Sequence, residues 1–270
     1  MTHSRPAIHE LLDRYGLAAR RELGQNFVAD PNTVRRIAAL ALVGPGDLVI
    51  EIGPGLGSLT LALVETGADV VAIEVDRGLA AVAAEVVGDK ARVIEADAMT
   101  VDWSEVIGDH VGPVHVVANL PYNIGTTLVL DILADVPQVT TLTVLVQTEV
   151  AERLAAGVGS KTYGIPSVMA ALHASSEVVA TVPPTVFVPR PKVQSSVVRL
   201  VRHEGPPEIE HVRLGRVVRA GFGQRRKMVR RSLSEFFTED EIVALGVDPT
   251  MRAEQLDFAS WVRLAEAVTS

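Results

Sequence analysis

A chain of 270 residues exceeds the roughly 100–200 residues usual for one domain, so one large domain with a small appendage is expected. Hydrophobic residues make up 48% and charged ones 21%, and the 21 Gly and 15 Pro fall in no repeat, which excludes a disordered or collagen-like chain. The formal net charge is −8, which counts against a nucleic-acid partner unless the cations are segregated from the acids.

The absence of cysteine removes disulfides, cysteine nucleophiles and thiolate metal sites together. Arg5, Glu10 and Asp13 interrupt any early secretory run, so a cytoplasmic location is expected. The longest uncharged stretch, Val111–Leu130, carries Pro113, His115, Asn119, Pro121 and Asn123, and no membrane span follows from it.

In chain order, Leu23-Gly24-Gln25-Asn26-Phe27-Val28 comes before the first helical pattern. Short β-branched runs at Leu48–Ile52, Val70–Val75, Arg92–Glu95, Val114–Ala118 and Leu142–Val146 then alternate with helical patterns. Those patterns cover Ser58–Glu65, Arg77–Val87, Gly125–Ala134, Thr148–Ala156 and Pro166–Ala174. This rhythm predicts an α/β fold, a Rossmann-like doubly wound parallel sheet. A Pro-rich loop over Val182–Pro191 precedes a last strand at Ser196–Val201. After Gly205-Pro206-Pro207 only short helical patterns remain, so the expected domains are 1–204 and a small α-helical one over 205–270.

Residues 211–231 hold eight cations, Arg213, Arg216, Arg219, Arg225, Arg226, Lys227, Arg230 and Arg231, and no acid. Arg226/Arg230 and Lys227/Arg231 are four apart, the spacing of successive helical turns. Like charges crowded without acids predict a polyanionic partner.

Val49-Ile50-Glu51-Ile52-Gly53-Pro54-Gly55-Leu56-Gly57-Ser58 is a buried strand entering a glycine turn and a helix, the place where an open α/β sheet lets a ligand approach the backbone. Ser58 and the G-x-G-x-G spacing depart from the dinucleotide fingerprint. Glu74, ending the second strand, can accept both hydroxyls of a ribose, and Asp97, after the third, can accept from an adenine amine. Together they predict a crevice for an adenosine without a pyrophosphate. Asn119-Leu120-Pro121-Tyr122 follows the fourth strand. Its Asn119 side-chain carbonyl and the Leu120 backbone carbonyl can take the two hydrogens of an aromatic amine, and Tyr122 offers a flat face. Two such acceptors favour the pyramidal amine, whose lone pair is then free to attack a methyl donor.

The glycine turn with the two strand-end acids resembles the S-adenosylmethionine-dependent methyltransferases. The Asn119–Tyr122 quartet resembles the amino-methyltransferase signature in the form found in ribosomal RNA adenine dimethyltransferases. Leu23–Val28, Phe187-Val188-Pro189-Arg190-Pro191-Lys192-Val193 and Phe222-Gly223-Gln224-Arg225-Arg226-Lys227 resemble the same family's small-subunit branch. The resemblance implies S-adenosylmethionine as cofactor, held by Asn26, Val28, Gly53, Gly55, Glu74, Asp97 and Asn119, with Glu51 near its amino group. It also implies catalysis by Asn119, Leu120 and Tyr122, with Phe187 stacking on the target base opposite Tyr122. The substrate implied is a pair of adjacent adenosines in a hairpin near the 3′ end of 16S ribosomal RNA, free or in the precursor of the small subunit, bound through Arg225, Arg226, Lys227 and Arg230. A methyltransferase domain over 1–204, an RNA-binding domain over 205–270, and a monomer without metal or membrane partner complete the expectation.

Alternatives from other classes are an NAD oxidoreductase, which Ser58 and the quartet disfavour, a large-subunit RNA methyltransferase, and a non-catalytic ribosome assembly factor. Gly159-Ser160-Lys161-Thr162 lacks the Gly-Lys adjacency of a phosphate-binding loop and follows a helix rather than a strand. The seven histidines show no ligand spacing.

Overall fold

Apolar runs without alternation need cover on both faces, whereas helices with one apolar stripe need it on one; the two together build this chain. The computed structural model describes residues 2–20 and 24–268. Helix α1 (Arg5–Arg14), strand β1 (Phe27–Val28) and helix α2 (Pro31–Leu40) come first. Then follow β2 (Leu48–Ile52), α3 (Ser58–Val64), β3 (Asp69–Glu74), α4 (Arg77–Val87), β4 (Arg92–Glu95), α5 (Trp103–Ile107) and β5 (Val114–Asn119). Next are α6 (Gly125–Asp135), β6 (Val139–Gln147), α7 (Thr148–Leu154), α8 (Ile165–His173), β7 (Ala174–Val182), β8 (Phe187–Val188) and β9 (Ser195–Arg202). Helices α9 (His211–Gly223), α10 (Val229–Ser232), α11 (Glu239–Ala244) and α12 (Phe258–Ala267) end the chain.

The main sheet has the order β4-β3-β2-β5-β6-β9-β7. Strands β2 to β6 are parallel and β9 runs antiparallel to β6. Successive strands step one way through β2, β3 and β4 and the other way through β5 and β6, so the winding reverses between β2 and β5, where open α/β sheets leave a crevice. Ile52 lies opposite both Ile73 and Ala118. Gly53, Glu74 and Asn119 therefore leave the sheet at one level.

The expected doubly wound sheet is present, with additions that periodicity did not reveal. Strand β7 alternates neither cleanly nor continuously in burial, as an edge strand can, and it carries no period to read. The pair β1 and β8 is only two residues long on each side, too short for any pattern. Helix α2 announces itself through Asp30, whose carboxylate accepts from the Thr33 N–H ahead of Pro31 at the first helical position.

The chain divides into two compact units, Met1–Ala151 with Glu177–Val201, and Glu152–Ser176 with Arg202–Ser270. The break expected at 204/205 lies beside the last of three crossings, and those at 151/152 and 176/177 were not expected. Residues 152–176 join the tail because Tyr163 is buried there: its hydroxyl donates to Leu256 O at 2.9 Å. Its ring also stands edge-on to Phe222, which stacks on Trp261. Helix α9 turns Leu214, Val217, Val218 and Gly221 inward, the i, i+3, i+4, i+7 stripe of an amphipathic helix. Among the described residues no helix is long and apolar enough to cross a membrane.

Gly221 allows α9 to approach α12, because a Cβ there would run into the fully buried Trp261 ring. Gly221→Ala is expected to destabilise the protein by about 1–3 kcal/mol through overpacking, despite the better helix propensity of Ala. Urea unfolding followed by tryptophan fluorescence checks this, and an unchanged midpoint contradicts it.

Candidate active site

At the β2/β5 crevice a cleft enclosing about 1120 Å³ of space, part of it open to solvent, is lined by the ends of β2, β3, β4 and β5 and by residues 24–28. Glu74 is buried, and both of its carboxylate oxygens are fixed: Oε2 accepts from the Gly55 N–H and Oε1 from the Asp76 N–H, each at 3.0 Å. These bonds orient the carboxylate, which lines the cleft, and leave each oxygen a further lone pair. Asp97 is exposed at the mouth, with Oδ1 accepting from the Met99 N–H at 2.9 Å. Between them Val75, 60% exposed, supplies an apolar face that sequence reasoning passed over, since a lone Val at a strand end carries no signal.

Residues 24–28 tie the loops together. Gly24, at φ +67°, lies so close to Pro121 and Tyr122 that a Cβ would stand 3.2 Å from each, and a Cβ on Gly55 would stand 2.8 Å from the Phe27 ring. Between these two contacts, Asn119 Nδ2 donates to Asn26 O at 2.8 Å, which commits the amide nitrogen and leaves Asn119 Oδ1 as an acceptor. Asn26 Nδ2 donates back to Gly24 O at 2.9 Å. Tyr122 lines the cleft, its hydroxyl sharing a 2.8 Å hydrogen bond with Ser195 Oγ. Leu120 is buried, and its N–H donates to Leu145 O at 3.0 Å, which fixes the turn to β6.

Of the residues expected to form the site, Asn26, Val28, Gly53, Gly55, Glu51, Glu74, Asp97, Asn119, Leu120 and Tyr122 all line this cleft. Phe187 does not. It is fully buried, paired with Val28 across the short β1/β8 ribbon and packed among Val34, Ile37 and Leu145. The two-sided aromatic clamp is therefore corrected to one ring that lines the cleft, the half-buried Tyr122, because apolar packing holds Phe187 in the wall behind Val28. Leu23 lies outside the described residues. His3 was missed: its N–H donates to Ser58 Oγ at 3.0 Å and its Nε2 lies 2.9 Å from Leu56 O.

Glu51 is 1% exposed and borders the cleft, and its Oε2 has no partner. Burial, reinforced by the neighbouring Glu74 charge, pushes its carboxyl up to about 8. Burial also raises Glu74, against the hydrogen bonds from Asp76 and Gly55. Two carboxyls so placed suit a cationic, hydroxyl-bearing ligand better than an anionic one.

The basic segment differs from its expected form. Helix α9 stops at Gly223, residues 224–228 form a turn, and α10 has only four residues, so Arg226/Arg230 and Lys227/Arg231 do not stack on successive turns of one helix. Arg225 Nε donates to Glu254 Oε2 at 2.7 Å and its Nη2 to Lys161 O at 3.1 Å. Arg230 Nη1 donates to both oxygens of Glu239, at 2.9 and 3.1 Å. Arg226, Lys227 and Arg231 are exposed. Among the described residues no group of His, Asp or Glu is arranged to hold a metal.

The family model for ribosomal RNA adenine dimethylase matches residues 16–270. The chain is 45% identical to the ribosomal RNA small subunit methyltransferase A of Cutibacterium acnes, covering 97% of this chain and 93% of that one. It is 42% identical to the protein of the same name in Corynebacterium efficiens, over 97% and 95%. Among solved structures, the 23S rRNA methyltransferase ErmE is similar with a TM-score of 0.70 at 27% identity, over 90% of this chain and 99% of that one. A dimethyladenosine transferase from Plasmodium falciparum shares the fold with a TM-score of 0.75 at 22% identity, over 87% and 94%.

Glu51 generates a pH prediction. Its carboxyl ionises near 4.5 when unfolded and at about 8 when folded. Its contribution to stability is thus complete below the lower value and is lost as pH rises to the upper one. Glu51→Gln, which has nothing to ionise, is expected to flatten the fall in stability between these limits. Urea midpoints measured across that pH range check it, and parallel curves for the two proteins contradict it.

Proposed function

This chain belongs to the ribosomal RNA adenine dimethylase family, and on that premise we propose that it uses S-adenosylmethionine to dimethylate two adjacent adenosines near the 3′ end of 16S ribosomal RNA. The hairpin carrying them is met as RNA or in the precursor of the small subunit, by a cytoplasmic monomer that also serves assembly of that subunit. The observation that carries this reading is the level placement of Asn119 and Glu74 at the ends of β5 and β3, in one cleft. A large-subunit target is disfavoured, since relatives named for the small subunit are 42–45% identical and the 23S enzyme ErmE 27%.

The cleft fits the cofactor on its own chemistry. Glu51 Oε2, buried and without a partner, offers a carboxyl to an ammonium group, Glu74 offers lone pairs to ribose hydroxyls, and Val75 with Asp97 offers a face and an acceptor to adenine. Gly53 and Gly55 keep the floor free of side chains, and Asn26 with Val28 closes the side. S-adenosylmethionine, when bound, supplies an electrophilic methyl group. Asn119 Oδ1 accepts one hydrogen of the adenine amine and the Leu120 carbonyl the other. Both draw the nitrogen toward a pyramidal form and stabilise the positive charge that develops there. Tyr122, its hydroxyl tied to Ser195, stacks on the extruded base, because an amine inside a stacked helix cannot be reached. Phe187 supports this wall from behind. The residues 205–270, with Arg226 and Lys227 foremost and Arg225 and Arg230 holding their setting, bind RNA phosphates.

Glu74→Ala is expected to weaken S-adenosylmethionine binding by about 1–3 kcal/mol, measured by calorimetry; unchanged affinity contradicts the ribose role. Asn119→Ala is expected to slow single-turnover methylation of unmethylated small subunits at saturating S-adenosylmethionine about 10²–10³-fold, a loss beyond the weaker cofactor binding that follows when its hydrogen bond to Asn26 is removed. A wild-type rate, or a wild-type product other than dimethyladenosine by mass spectrometry, overturns the reading.

A further inference from the structure

The loop between α7 and α8 contains Gly157-Val158-Gly159-Ser160-Lys161-Thr162, a segment to which the site gives no task. Residues 157–161 are exposed, and the loop is held in shape rather than merely projecting: Ser160 Oγ bonds Thr162 Oγ1 at 2.9 Å and the Thr162 N–H at 3.3 Å. Immediately after it Tyr163 is buried, edge-on to Phe222 with ring centroids 5.8 Å apart. Phe222 in turn lies three residues before Arg225. A second tie comes from Arg225, whose Nη2 donates to Lys161 O while Nε is held by Glu254 Oε2 at 2.7 Å. The turn 224–228 is itself backed by the chain at 249–252, through Val229 N–H to Met251 O at 2.7 Å and the bridge of Met228 with Arg252.

Two basic segments more than sixty residues apart in sequence are thus fastened into one surface. Arg225 uses two of its five N–H donors for the fastening and has its charge matched by Glu254, while Lys161, Arg226 and Lys227 beside it are exposed. We propose that Lys161 is an RNA-phosphate contact on the same surface as Arg226 and Lys227, and that Arg225 is a positioning residue for that loop rather than a phosphate contact. The proposal rests on the RNA-binding reading above. Its chemistry is that of a phosphodiester backbone, since a compact ammonium on a rigid loop beside two further cations matches a row of spaced negative charges.

The test is binding of the full chain to unmethylated small ribosomal subunits over a series of KCl concentrations. Removing one phosphate-neutralising cation is expected to reduce the log–log salt slope by about 0.7–0.9. Lys161→Gln should show one such decrement and Lys161→Arg none. Arg226→Ala with Lys227→Ala should show about twice the decrement. The charge-neutral pair Arg225→Gln with Glu254→Gln should reduce the slope as much as Lys161→Gln does, and adding Lys161→Gln to it should cost nothing more, which loss of fold alone would not produce. If the wild-type chain shows no salt-dependent binding, the RNA reading itself fails. If the wild type and the 226/227 variant behave as stated but Lys161→Gln keeps the wild-type slope with an unchanged unfolding midpoint, this inference alone is overturned.

Discussion

The hydrogen bond from Asn119 to the carbonyl of Asn26 is the contact on which the cleft depends. The reversal of winding between β2 and β5 leaves two strand ends side by side with no crossover above them, which makes a crevice but not a site. A crevice becomes selective when something fixes the side chains at its rim. Residues 24–28 do so by touching both loops at once, Gly24 against the Pro121–Tyr122 turn and Phe27 over Gly55. The same bond ties down the nitrogen of the Asn119 amide and leaves its carbonyl oxygen as an acceptor, the group that the proposed amine substrate calls for. Orientation and chemistry thus come from one interaction.

The site also separates two electrostatic tasks. Glu51, Glu74 and Asp97 make the cleft acidic, and burial raises the first two so that they hold protons more readily than a surface carboxylate. A cationic ligand lowers that cost by favouring the ionised form, so binding and ionisation reinforce each other. The cations needed for a polyanion are kept in the other compact unit, where Arg226, Lys227 and Lys161 belong. A net charge of −8 is compatible with an RNA partner for this reason, and composition alone misleads.

The parallel strands and the glycine turn were legible because a buried strand writes its burial as a continuous apolar run, and a turn at positive φ writes itself in Gly. Asn119, Glu74 and Asp97 were legible because strand ends on one edge of a sheet share a level whatever the connecting helices do. What could not be read depends on contacts distant in sequence. Phe187 sits in a motif that suggested an exposed ring, yet pairing with Val28 turns it into the core. Strand β7 borrows its order from β9 and has no pattern of its own. The join of residues 152–176 to the tail rests on Tyr163 reaching Leu256 and Phe222, which no local composition reports.

Counting cations overstates the phosphate contacts a basic segment can make, and the geometry here says by what route. A helix reading of 211–231 places like charges on neighbouring turns, where they repel and need a partner. The turn at 224–228 instead separates them and lets each find its own use: Arg225 and Arg230 are matched to Glu254 and Glu239, acids that lie outside the window. A guanidinium held at two points by a carboxylate and a carbonyl is well suited to bracing, and it draws a second anion less strongly because Glu254 already competes for its charge. An ammonium with no partner has no such competition. The residues that brace a surface and those that meet its ligand are therefore distinguished by their partners, and in this chain the brace carries the more conspicuous motif.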